Sequence, residues 1–205
     1  MKLLVATRSA HKMVEIREIM GHVPGVELLD LDQAGISPAP EEEGLEPFDT
    51  FEANARSKAR YFHARSGLPT VADDSGLEVD ALDGAPGVFS KRFAPGDTIG
   101  EERDQANNRY LLELLTEVPD DRRTARYVCV AALEDGTGQG PVVRGTVEGL
   151  ITRAPRGSGG FGYDPLFYVP ELGRTFGEAT PEEKHARSHR GDAFRGLARA
   201  LGEGA

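Results

Sequence analysis

The chain has no tryptophan and one cysteine, Cys129. A single thiol excludes an internal disulfide framework. Its place in the apolar run "YVCVAAL" reads as a buried strand position, because no electropositive neighbour in the sequence would activate it as a nucleophile. Long apolar runs are also missing. No stretch reaches the ~18 residues from which a membrane-spanning helix is read, and the apolar run ahead of Thr7 is too short for a signal-peptide core. A soluble, cytoplasmic protein with no membrane partner is expected. Basic residues are in deficit, 24 Lys and Arg against 34 Asp and Glu, for a formal net charge of -10. That field repels a phosphate backbone and argues against broad DNA or RNA binding, while a small anion can still bind where a local pocket or a metal offsets it.

What is present suits one globular domain. With 205 residues, 39% of them hydrophobic, the chain can bury one substantial core, either as a compact body or drawn out into two lobes. The opening "KLLVA" reads as a strand, followed by a turn and a helix from about Ser9 to Met20 on which Met13, Ile16, Ile19 and Met20 recur at helical spacing. After a strand "VELLDL" comes the acidic, proline-containing loop "SPAPEEEGLEPFD". A helix from about Thr50 to Arg65 follows and is stopped by Gly67. A third strand leads into "ADDSG", read as a loop, and the alternation in "GLEVDALDG" predicts a further half-exposed strand. A helix over about Glu101 to Leu115 precedes two β-rich stretches joined through "GTGQG", read as a long hairpin. Near the end, Thr180 as N-cap, Pro181 at the first position and Glu183 in a capping box predict a helix start, and His189-Arg190 before Gly191 suggests a break that points both inward. The fold class is α/β.

Four short constellations could carry chemistry. In "TRSAHK", Thr7, Ser9 and Lys12 could converge on a phosphate at a helix N-terminus, although Ser9 as a plain cap with Lys12 solvated explains the same residues. Asp73 and Asp74 end an apolar strand, with Glu41, Glu42 and Glu43 available to join them, and a few hard oxygen ligands shared with phosphates suit magnesium. A cation held between the adjacent carboxylates and a substrate's phosphates would account for their juxtaposition. In "GSGGFGYDP" the glycines permit close backbone approach, while Phe161 and Tyr163 offer flat faces for a base. "EEKHARSHRG" adds Lys184, His189 and Arg190 on or beside the last helix. Together these point to a magnesium-dependent nucleotide enzyme.

The ordered segments "TRSAHKMVE", "FEANARSKA", "ADDSGLEVDALDGAPGVFSKRF", "GGFGYDPLF" and "EEKHARSHRG" resemble the inosine triphosphate pyrophosphatase family from end to end. The resemblance implies one nucleoside triphosphate pyrophosphatase domain over residues 1–205, built on an elongated mixed sheet flanked by helices, with the site in a cleft between two lobes. It implies hydrolysis of purine nucleoside triphosphates such as ITP, dITP and XTP to monophosphate and pyrophosphate, and a homodimer. Carried over residue by residue, Thr7, Arg8, Ser9, Ala10, His11 and Lys12 would hold the phosphates. Glu41 and Asp74 would bind Mg2+, with Glu42 or Glu43 as substitutes for Glu41, and Asp74 would be the base. Ser75, Phe161, Gly162, Tyr163, Asp164, Lys184, His189 and Arg190 would line the nucleotide. The chain departs from the family at Ser9, where Asn is usual, and at Ala53, where an acid is usual; its loop between Glu43 and Phe51 is also longer.

Overall fold

A computed structural model describes residues 1–203, so the last two of the expected 1–205 span lie outside the described residues. Seven strands form one mixed sheet: β1 (Lys2–Val5), β2 (Glu27–Leu29), β3 (Thr70–Val79), β4 (Thr124–Glu134), β5 (Val142–Ile151), β6 (Phe167–Val169) and β7 (Arg174–Thr175). Their order is β2-β1-β3-β4-β5-β6-β7. β1 is parallel to β2, with Leu3 opposite Leu28, and parallel to β3, with Val5 opposite Val71. β6 runs antiparallel to both neighbours, with Ile151 opposite Phe167 and Val169 opposite Arg174. The helices are α1 (Ala10–Met20), α2 (Phe51–Ser66), α3 (Gly100–Leu114), α4 (Pro181–Arg187) and α5 (His189–Glu203). Among the described residues no helix is long and apolar enough to cross a membrane.

The helix signals act where the sequence puts them. Ser9 and Thr50 cap α1 and α2, and Gly67 ends α2 in the left-handed conformation. Thr180 and Glu183 form the capping box of α4. Ser188, in an extended conformation, separates α4 from α5. His189 and Arg190 after the break are 5% and 1% exposed. Two expectations are corrected. The acidic loop contains a 3-10 turn over Pro40–Gly44. The "ADDSG" segment is no loop but the middle of a single ten-residue strand, β3.

The chain divides into two compact units. The first holds Met1–Asp74, Cys129–Gly145 and the C-terminal segment from His189. Successive side chains of a strand point to opposite faces, and here both faces are covered. Leu3, Val5 and Val71 pack with Met13, Ile16 and Met20 of α1 and Phe194 and Leu197 of α5. Leu4, Ala6 and Ala72 pack with Ala59 and Phe62 of α2. Burial on both sides explains why "KLLVA" is a continuous apolar run rather than an alternating one. The second unit, Ser75–Val128 and Thr146–Ser188, centres on Leu77, Val79, Leu111, Tyr127, Tyr163, Phe167 and Phe176.

Candidate active site

The alternation that sorts the core also sorts the acidic pair. Asp73 continues the series of Val71 and meets the α1 and α5 side, where its Oδ2 accepts from Lys12 Nζ at 2.8 Å and lies 3.5 Å from Arg190 Nε. The Cys129 Sγ is 3.8 Å from the same oxygen. Asp74 continues the series of Ala72 and meets α2, where its Oδ2 accepts from Asn54 Nδ2 at 3.0 Å. The two carboxylates therefore need no shared cation to coexist: the pleat turns them apart and each has its own partners. This corrects the expectation of a metal held between them.

The electrostatics of the pair diverge accordingly. Burial opposes ionisation of Asp73, but Lys12, Arg190 and Lys58 hold its carboxyl well below the usual aspartate range. Asp74 goes the other way. Burial raises it, Lys58 pulls it down, and the charge of Glu46 raises it again. Lys58 bonds the Glu46 carboxylate and the Asp73 carbonyl oxygen. Burial works against its ammonium, yet Asp73, Glu46 and Asp74 together hold its pKa above the ordinary lysine value.

Asn54 joins this cluster to the acidic loop. Its side chain accepts from Phe48 N at 2.9 Å and donates to Phe48 O at 3.1 Å while bonding Asp74. Glu46 is the glutamate whose charge reaches Asp74. The expected ligand, Glu41, is exposed on the 3-10 turn. Glu42 is taken by Arg8, whose Nε and a terminal nitrogen reach its two oxygens at 3.0 and 2.8 Å, and Glu43 is exposed. Glu52, beside the departure at Ala53, pairs with Arg56 at 2.9 Å on the surface of α2.

Thr7 to Ser9 form the β1–α1 turn, and Ala10 to Lys12 are the first residues of α1. Thr7 Oγ1 accepts from Ser9 N at 3.2 Å, and Ser9 Oγ accepts from Lys12 N at 3.4 Å, so Ser9 is a cap. Ala10 and His11 are exposed. The Arg8 guanidinium also donates to Ile36 O at 3.0 Å, which makes it a strut for the acidic loop. Lys12 is 6% exposed, with its ammonium on Asp73. Arg190 bonds Glu15 of α1.

In the second unit, Gly160 sits at φ 73, and a Cβ there would run into the Asp164 carboxylate. Asp164 Oδ2 accepts from Phe161 N at 2.8 Å and from Lys184 Nζ. The same ammonium lies 4.4 Å from the centre of the Phe161 ring. Of the two aromatic residues expected to face a base, only Phe161 is partly exposed. Tyr163 is 4% exposed in the core, its hydroxyl donating to Ser90 O at 2.8 Å. Ser75, on β3, is also partly exposed. Lys184 and Asp164 thus belong together, whereas Arg190 belongs with Lys12 through Asp73.

Sequence reasoning missed Glu15, Glu46, Asn54 and Lys58. Lys58 and Asn54 are one turn apart on α2, facing β3, and that spacing was the available signal. The Ham1 family matches residues 3–200. The chain belongs to the Ham1 family. It is 50% identical over 204 residues to the dITP/XTP pyrophosphatase of Exiguobacterium sibiricum, covering 98% of this chain and 97% of that protein. Identity to a dITP/XTP pyrophosphatase of Thermus thermophilus is 46% over 204 residues, covering 100% and 93%. Among solved Ham1 structures, a HAM1 protein from Coxiella burnetii superposes with a TM-score of 0.86 at 36% identity, covering 99% of both chains. The nucleoside-triphosphatase, dITP/XTP pyrophosphatase, from Mycobacterium abscessus gives 0.72 at 44% identity, covering 98% of this chain and 99% of that one. The resemblance drawn from the motifs and the mixed, helix-flanked sheet is borne out.

Proposed function

We propose that this Ham1 protein hydrolyses ITP, dITP and XTP to the monophosphate and pyrophosphate, as a single enzymatic domain working as a cytoplasmic homodimer. The observation that carries the reading is the division of labour at Asp73 and Asp74: one carboxylate gathers cations, and the other is raised by burial beside a lysine. A carboxylate with raised basicity takes a proton more readily, which suits Asp74 to activate the water that attacks the α-phosphorus. Lys12 and the N-terminus of α1 hold the phosphates, with Thr7 to Ser9 supplying the turn and Ala10 and His11 opening the helix. Lys58, between Glu46 and the Asp73 carbonyl, places positive charge beside the attacking water and the reacting phosphate. The leaving pyrophosphate needs such charge most.

The donor set fits a small divalent cation. Glu46 raises Asp74 through like charge, the mutual repulsion that hard oxygen ligands relieve by taking a metal, and the carboxylates are few, as magnesium prefers. Glu46 and Asp74 would hold Mg2+, which when bound polarises the phosphate oxygens and screens the triphosphate. The base end falls to Phe161 as stacking face, to Gly162 and Tyr163 as backbone frame, and to Lys184, positioned by Asp164. Ser75 and His189 complete the nucleotide-lining set, and Arg190, buried on Glu15 and Asp73, supports the Lys12–Asp73 pair.

Phosphate release in an assay coupled to inorganic pyrophosphatase, with ITP, dITP, XTP, GTP, ATP and UTP, tests the proposal. Turnover of the first three that requires both magnesium and the coupling enzyme is expected. Phosphate appearing without the coupling enzyme would overturn the pyrophosphate product, and nucleotide binding without turnover would make the protein a binder rather than a hydrolase.

A further inference from the structure

The segment that carries Phe161 and Asp164 is held from outside by a helix with no part in the proposed chemistry. Asp104 and Asn108 stand one turn apart on α3, and both address Gly162. Asp104 Oδ2 accepts from Gly162 N at 2.8 Å, and Asn108 Nδ2 donates to Gly162 O at 3.0 Å. These two groups belong to different peptide planes, one on each side of the Gly162 Cα. Pinning both planes fixes both backbone rotations of this residue. Gly162 sits at φ 61, with nothing within 4 Å of where a Cβ would be. The side on which a Cβ would stand is open, and glycine has no side chain with which to hold itself there. Next to it, Tyr163 is fastened through Ser90 O and Asp164 through Lys184. Phe161 N donates to the Asp164 carboxylate and Phe161 O accepts from Asp164 N, so release of Gly162 would loosen the turn that sets the angle of the Phe161 ring without freeing its backbone outright.

We propose that Asp104 and Asn108 are positioning residues that set nucleobase selectivity by fixing the Gly162 backbone, and with it the Phe161 ring over Lys184. The proposal rests on the assignment of Phe161 and Lys184 to the base. The pair acts through the Gly162 backbone, so its loss acts on base recognition and spares the hydrolytic step. One lost hydrogen bond of this kind corresponds to roughly a 2- to 10-fold change in an equilibrium.

The test compares Asn108→Leu and Asp104→Leu with Asp104→Asn, which keeps an acceptor oxygen, and with Phe161→Leu. KM and kcat are measured for ITP and ATP, and thermal unfolding is recorded for each variant. The two Leu variants are expected to raise KM for ITP by about 2- to 10-fold, lower the ITP to ATP preference by a like factor, and leave kcat for ITP within about twofold. Asp104→Asn is expected to retain the preference. Equal losses of kcat for both nucleotides, or an unchanged preference in folded Leu variants while Phe161→Leu lowers it, would overturn the clamp and leave the base assignment standing. An unchanged preference in Phe161→Leu as well would overturn both.

Discussion

Asp73 and Asp74 are consecutive in β3, yet Asp73 lies with Lys12 and Arg190 on one face of the sheet and Asp74 with Asn54 on the other. The separation gives each carboxylate a different task. Asp73 is 2% exposed, with its carboxyl held well below the usual aspartate range by Lys12, Arg190 and Lys58, an anchor for buried cations. Asp74 is the carboxylate with raised basicity. Asp74→Asn keeps the shape and the Asn54 contact but removes the base, so kcat should fall by roughly 10²-fold or more while nucleotide binding largely persists. Near-normal turnover in that variant would move the base elsewhere.

Asp73→Asn tests the anchor through stability. The substitution removes the carboxylate that the buried Lys12 and Arg190 share, although Arg190 keeps Glu15, a loss of about 3–5 kcal/mol at neutral pH. The sign of the pH dependence follows from the depressed carboxyl. Its stabilisation is complete above the unfolded value of about 4 and is lost as pH falls toward the folded value. Urea denaturation at pH 7 and at pH 3 should show the gap between the two proteins narrowing in acid. A gap independent of pH would mean that the ion pairs do not carry it.

The metal assignment separates Glu46 from Glu41. Glu46 acts on Asp74 and bonds Lys58, whereas Glu41 is exposed on its turn. Glu46→Gln should raise the magnesium concentration needed for half-maximal activity by about 10-fold or more, the scale expected when a carboxylate close to a metal is lost. Glu41→Gln should leave it unchanged. Magnesium titrations of both variants decide the matter, and the reverse pattern would restore Glu41.

The sequence made the caps and breaks legible because they are local: Thr50, Gly67, the Thr180–Glu183 box and the interruption at Ser188 depend on neighbours within a turn. It concealed the continuity of β3. Asp and Gly are poor strand residues, and what keeps Asp73 and Asp74 in the strand is the place of β3 between β1 and β4 together with side-chain partners from α1, α2 and α5. Arg190 and Glu15 lie 175 positions apart, so neither advertises the other. The run Glu41–Glu43 looked more like a ligand group than the solitary Glu46, because a local cluster is visible in sequence and a long-range charge on Asp74 is not. Lys58 and Glu15 carry no local signal of their partners, which come from β3, the acidic loop and α5.

Selectivity among purines tests the base end. Hypoxanthine and xanthine carry a 6-oxo group that accepts hydrogen bonds, adenine a 6-amino group that donates them, and the Lys184 ammonium only donates. Arg190 is a poor probe of this, being 1% exposed and committed to Glu15 and Asp73. Its replacement by Met should chiefly destabilise the fold. Lys184→Met alone would leave the Asp164 carboxylate, itself 2% exposed, with the Phe161 N–H but without its countercharge. Lys184→Met combined with Asp164→Asn removes both charges of the buried pair together, which costs little when volume is kept. In that double variant kcat/KM for ITP should drop by roughly 10- to 100-fold, because the 6-oxo group loses its donor, while the value for ATP changes far less. Measuring both nucleotides in a variant shown by thermal unfolding to be folded settles the assignment: an undiminished preference for ITP over ATP would remove Lys184 from base reading.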